Sequence, residues 1–151
     1  MKVYKLYILL VTSVTILVAG CADQATCIPE NTDLLQISFV DTTGNVSDFS
    51  LVTVEAVGSN ENFPIIQNST FKTLAIPLNP VDNKIKLNFI QGVNTYELVV
   101  SYRANKILLA PECGFESLFD QVKVDSSNFI NAIVVNQTLN KDIKTNVQIT
   151  H

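Results

Sequence analysis

From Leu35 onward the chain is built of short segments in which apolar and polar residues alternate, the period of a half-buried β-strand. Leu35, Ile37 and Phe39 alternate with Gln36 and Ser38. Asp41-Thr-Thr-Gly-Asn45 then carries the residues of a turn. Residues 49–57, FSLVTVEAV, read as a second strand, nearly apolar on both faces. Gly58–Asn62 is another turn, and Phe63–Ile66 is confined to a sheet edge by Pro64, which has no ladder donor. Leu74, Ile76 and Leu78 alternate with Pro77 outside the set, and Asn79-Pro80 breaks the chain. Ile85, Leu87 and Phe89 alternate with Lys84, Lys86 and Asn88, one of the cleanest amphipathic strands. Gln91–Asn94 is a hairpin turn into Tyr96, Leu98, Val100 and Tyr102, with Glu97, Ser101 and Arg103 on the other face. After Ala104-Asn105-Lys106, a separate segment Ile107–Ala110 leads into Pro111-Glu-Cys-Gly-Phe115. Residues 117–124 fit either a strand or a short helix, and residues 129–135 and 146–150 complete the strands.

Turn signals every 8–12 residues, many β-branched residues and no long 3.6-residue period predict an all-β domain, an antiparallel sandwich or barrel. One domain is expected over residues 34–151, because a chain of 151 residues is too short for two ordinary domains plus the segment that precedes them.

That preceding segment has a different pattern. Lys2 and Lys5 are followed by a 14-residue uncharged run, residues 6–19. As a helix this run is about 21 Å long, short of the ~30 Å hydrocarbon core and suited to the apolar region of a signal peptide. An ordinary signal peptide or a tight transmembrane anchor is the plain alternative. Leu17-Val18-Ala19-Gly20-Cys21 resembles the bacterial lipobox, an aliphatic residue and two small ones ending at cysteine. The resemblance implies transfer of a diacylglyceryl group to the Cys21 sulfur and cleavage after Gly20. Residues 1–20 are then a lipoprotein signal peptide, and 21–33 a lipidated cysteine with a short tether. Two or three acyl chains make a lasting anchor where one holds only marginally. Residue 22 is Ala, and Asp23 sits one place beyond the position that retains such proteins in the inner membrane. The expected address is the outer membrane, on its periplasmic face rather than the cell surface.

Cysteine arithmetic fits that address. If Cys21 carries lipid, Cys27 and Cys113 remain as a pair in an oxidising compartment. They are expected to form a disulfide, two free buried thiols being the alternative. Uneven loops and a bond crossing the chain favour the sandwich over the barrel, of Ig-like or Greek-key type.

Charge and composition exclude more than they identify. Beyond residue 20 there are eight basic and fourteen acidic residues, a net −6, with one arginine, Arg103. Such a surface is unsuited to nucleic acid. There are only five glycines and no phosphate-binding loop. The one histidine, His151, is the last residue; it is expected to be mobile, a poor member of a Ser–His–Asp arrangement. Asp41, Asn45 and Asp48 could hint at calcium, but turn chemistry accounts for them. Asp41-Thr42-Thr43 also resembles a short O-glycosylation motif of Bacteroidota, against a plain Asx turn. Tyr96 and Tyr102 share a face with Leu98 and Val100, which favours core packing over a sugar-stacking platform. No catalytic residue, metal site or cofactor is expected.

Several segments together carry a broader resemblance. After the lipobox come Cys27-Ile-Pro-Glu-Asn-Thr32 and Leu35–Phe39, then Leu74-Ala-Ile-Pro-Leu78 and Val99-Val-Ser-Tyr-Arg103. Glu112-Cys-Gly-Phe115 and Asn128-Phe-Ile-Asn-Ala-Ile133 follow. In this order the chain resembles a family of small Bacteroidota (flavobacterial-type) lipoproteins catalogued as a domain of unknown function. The end departs from the pattern, with Thr150-His151 where aromatic or aliphatic residues are expected. The resemblance implies an envelope lipoprotein and no particular activity. The expectation is a non-enzymatic β-domain, held on the membrane through Cys21, that binds or scaffolds an envelope protein or glycan. The rival is a small-ligand or glycan binder with a cleft.

Overall fold

The computed structural model describes Cys27, residues 31–57 and residues 69–151. The basic start, the apolar run, the lipobox with Cys21, the 58–62 turn and the Phe63–Ile66 segment lie outside the described residues. Ten strands and no helix make up the described chain: β1 (Leu34–Val40), β2 (Phe49–Leu51), β3 (Thr53–Val57), β4 (Ser69–Phe71), β5 (Thr73–Pro77), β6 (Lys84–Gln91), β7 (Asn94–Ala110), β8 (Gly114–Ser127), β9 (Asn131–Val134) and β10 (Val147–Thr150). One four-stranded sheet has the order β5-β1-β10-β9, another β3-β6-β7-β8, and β2 pairs with β4.

The alternating residues form one core. Leu35, Ile37, Phe39 and Ile149 from the first sheet and Leu87, Phe89, Leu98 and Val100 from the second are fully buried in one cluster. Apolar burial of this kind is the main favourable term in folding. Aromatic rings fill its centre. Phe39 stacks on Phe49 at 4.8 Å and Tyr96 on Phe129 at 4.8 Å, while Phe89 meets Phe129 edge-on at 5.4 Å. Leu139 joins the cluster from the loop between β9 and β10.

The continuous strand expected over residues 49–57 is two strands in two sheets. Phe49 and Leu51 point inward, and so do Val54 and Ala56, so the inward phase shifts by one residue at exposed Val52. A strand of period two cannot bury both sets. The chain bends at Val52, whose N–H donates to the Ile90 carbonyl at 2.7 Å, and enters the second sheet as β3.

Two further expectations are decided around the long hairpin. Ala104-Asn105-Lys106 does not interrupt the chain: β7 runs for 17 residues. Residues 117–124 are strand, within β8. The β6 ladder stops at Lys84 opposite Ser101, but β7 and β8 continue pairing to Ala110 opposite Gly114. Neither Gly nor Pro occurs between Asn94 and Ala110 to stop them.

The ladder slips where Gln121 and Val122 together face Tyr102, between the Ser101–Lys123 and Arg103–Asp120 pairs. Gln121 takes φ +53°, a region side chains rarely adopt. The bulge turns Val122 into the core and lets its N–H reach the Gln137 carbonyl at 3.0 Å.

One strand pair departs from the antiparallel expectation. β10 lies between β9 and β1 and runs parallel to β1, with Ile37 opposite Val147 and Val40 opposite Thr150. Parallel neighbours need a long crossover, and here nearly the whole described chain supplies it.

Candidate functional site

The β7–β8 hairpin projects past the end of β6, and its tip is where the expected cysteine pair meets. Pro111 sets the first bend with its fixed φ, Cys113 N–H donates to the Ala110 carbonyl at 3.0 Å, and Gly114 turns the chain back at φ +75°. This turn presents Cys113 to Cys27, and the two are disulfide-bonded with their Cα atoms 5.4 Å apart. A second tie lies four residues along the entering chain. The Glu116 carboxylate accepts from Asn31 N at 2.9 Å and Asn31 Nδ2 at 3.0 Å. The start of the domain is thereby fastened along one face of the ribbon. Beside this fastening is an open groove of about 380 Å³, edged by Asp33, Pro80, Glu116 and Lys141. The ribbon's other face carries Leu108 opposite Phe115, 55% and 72% exposed.

A second groove, about 350 Å³, lies on the outer face of β6, β7 and β8. Arg103 grips Asp120 through Nε and Nη2, both at 2.8 Å. Lys84 pairs with Asp125 at 2.9 Å, and Ser101 donates to the same carboxyl at 2.9 Å. The Gln121 carbonyl oxygen can face the guanidinium, 3.1 Å from Arg103 Nη1. The arginine's hydrogen bonds hold the Asp120 carboxyl below the usual carboxylate range, and those of Lys84 and Ser101 do the same for Asp125. Arg103 and Lys84 are therefore each paired with a carboxylate. Such exposed, solvent-screened pairs stabilise little. Sequence alternation placed Arg103 and Ser101 on one outward face but gave no sign of Asp120 or Asp125, because the bulge sets β8's register.

The other singled-out residues are accounted for locally. Asp41 Oδ1 accepts from Thr43 N at 2.9 Å, Thr43 Oγ1 at 2.6 Å and Asn45 N at 3.0 Å. These bonds, that from the Thr43 hydroxyl first, hold its carboxyl low and commit it to an Asx turn. His151 is held rather than mobile. Its Nε2 is 2.7 Å from Ser47 Oγ, its ring packs 4.7 Å from Phe49, and its N–H donates to the Val40 carbonyl. Ser and His thus meet, but among the described residues no carboxylate hydrogen-bonds the other imidazole nitrogen.

Tyr96 and Tyr102 point into the core, as the alternation implies. Tyr102 is 5% exposed, and its hydroxyl donates to the Asn79 carbonyl at 3.0 Å. Burial first, and then the charge of Asp82, push its phenol up to about 12 from the ordinary 10. Below pH 10 both folded and unfolded chains carry the neutral phenol, and stability is undiminished by it. Between pH 10 and 12 the unfolded chain releases the proton and the folded one does not, so stability falls as pH rises. Chemical denaturation across this window should show that decline, and Tyr102→Phe should flatten it.

Comparison of the chain with protein-family models, curated proteins and solved structures found no match.

Proposed function

We propose that this chain is a lipid-anchored envelope protein whose β-domain binds or scaffolds another envelope component and performs no catalysis. The observation that carries this reading is Leu17-Val18-Ala19-Gly20-Cys21 at the end of an uncharged 14-residue run. The cysteine pairing supports it. Cys27 and Cys113 take each other, which leaves Cys21 as the odd thiol at the position where a lipid would be added. On this reading the domain is a sandwich of Ig-like or Greek-key type. In support, the chain passes repeatedly between two sheets whose inward residues share one core. The outer membrane is its address, with the periplasmic face its side, and the small Bacteroidota lipoproteins are its kin.

Mass spectrometry of the membrane fraction tests the anchor. The expected species begins at Cys21 and carries two or three acyl chains. Cys21→Ser should move the protein out of the membrane fraction. An uncleaved, unmodified N-terminus in the wild type would end the proposal. Crosslinking of the intact lipidated protein in membranes then identifies the component it contacts.

A further inference from the structure

We propose that the tip of the β7–β8 hairpin rests in the lipid surface, with Leu108 and Phe115 entering the boundary between headgroups and acyl chains. This rests on the lipid anchor at Cys21. Six residue steps separate Cys21 from Cys27. Fully extended they reach about 22 Å at most. Cys27 is bonded to Cys113 in the hairpin turn with their Cα atoms 5.4 Å apart, so the acylated residue lies within roughly 27 Å of the tip. β7 itself runs for 17 residues, roughly 50 Å at the rise of a strand. The Gly92-Val93 turn at its other end is therefore beyond the tether's reach. The disulfide selects which end of the domain faces the bilayer.

The chemistry of that end suits lipid. Leu108 and Phe115 are cross-strand partners on one face, 55% and 72% exposed, and Leu109 beside them is 39% exposed. This face continues the inward face of the sheet. Leu98, Val100 and Tyr102 are buried, Ala104 is half-buried, and beyond Lys106 the apolar face is uncovered. On the opposite face the Glu116 carboxylate is turned to Asn31, away from the apolar pair. Within residues 106–115 of the hairpin the charges are Lys106 and Glu112, one of each sign. The contact is therefore apolar and insensitive to salt, unlike binding by a basic patch. The acyl chains supply the hold, and the tip fixes the tilt. The 350 Å³ groove of Arg103 and Lys84 and the far turn are then presented away from the membrane.

The chain contains no tryptophan, so one substitution makes a specific reporter. Phe115→Trp is compared with Val93→Trp, at a residue 99% exposed at the opposite end. Both lipidated proteins are reconstituted in phosphatidylcholine–phosphatidylethanolamine vesicles. Tryptophan at position 115 should shift to the blue and be quenched by lipids brominated on the upper acyl chain, unchanged at high salt. Tryptophan at position 93 should stay open to aqueous acrylamide. Equal acrylamide quenching at the two positions, with no bromolipid quenching at 115, would overturn the proposal. So would a blue shift at 115 that grows with protein concentration without vesicles, since the tip would then cover a second copy. The mass of the same sample reports the anchor separately. If Cys21 bears no acyl chain, the anchor reading fails, and the two reporters are read again on protein coupled through Cys21 to a maleimide lipid.

Discussion

Cys27→Ser should lower the unfolding free energy of the domain by as much as about 4–5 kcal/mol, the chain-entropy figure for a loop of this size. The bond spans 86 residues, so it removes from the unfolded chain the freedom of most of the described sequence. Cys113→Ser and the double substitution should cost the same as the single change, because no variant retains the cross-link. Guanidinium denaturation checks this. The midpoint should fall, and the slope with denaturant should rise as the unfolded state loses its constraint. Reductant should shift the wild type onto the variants and leave the variants unmoved. Coincident wild-type curves with and without reductant would remove the disulfide from any account of stability. A local effect should accompany the global one. Without the bond, the tip is tied to the start of the domain through Asn31 and Glu116, and amide exchange over residues 106–118 should accelerate before the sheets do.

That cross-link was legible in the sequence, because counting cysteines needs no geometry. So were most inward faces. Leu35, Ile37, Phe39, Leu74, Ile76, Leu78, Leu87, Phe89, Leu98, Val100 and Tyr102 are buried as the alternation implies, though Ser38 is buried as well. Residues 49–57 failed because a stretch apolar on both faces conceals its phase; a three-residue step from Leu51 to Val54 was the available sign of a bend. The projection of the hairpin was hidden for a different reason. Alternation shows that a strand exists, while the length over which a third strand covers it depends on where β6 ends. The sequence therefore assigns Leu108 to a short separate segment and Phe115 to the turn that follows it, without a face for either; the structure leaves both exposed. His151 was misread from its place in the chain. Its backbone and ring are held by Val40, Ser47 and Phe49, residues more than a hundred positions away.

The residue that sequence reasoning missed altogether is Asn146, which looks like one more polar loop position. It is 1% exposed. Its Oδ1 accepts from Gln36 N at 3.0 Å, and its Nδ2 donates to the carbonyls of Asn136 at 3.3 Å and Thr138 at 3.0 Å. Its backbone N–H donates to the Gln36 carbonyl and its carbonyl accepts from Val135 and Asn136. One side chain thus joins β1 to both arms of the β9–β10 loop, whose Leu139 fills the core. Asn146→Ala should cost about 3 kcal/mol, since burying even one orphaned donor or acceptor costs ~1–3 kcal/mol and three groups lose their partner. Asn146→Asp separates the contacts. It keeps the acceptor for Gln36 but sets a carboxylate oxygen against two carbonyls. At neutral pH it should therefore be no more stable than the alanine variant. Protonation of the new carboxyl restores a donor, so part of the loss relative to wild type should be recovered on acidification. An alanine variant within a few tenths of a kcal/mol of wild type would mean that this end of the loop does not hold the two strands together. Exchange of the Gln36 amide gives the same answer at the level of the single bond, because without Oδ1 that N–H has to find water or remain unpaired.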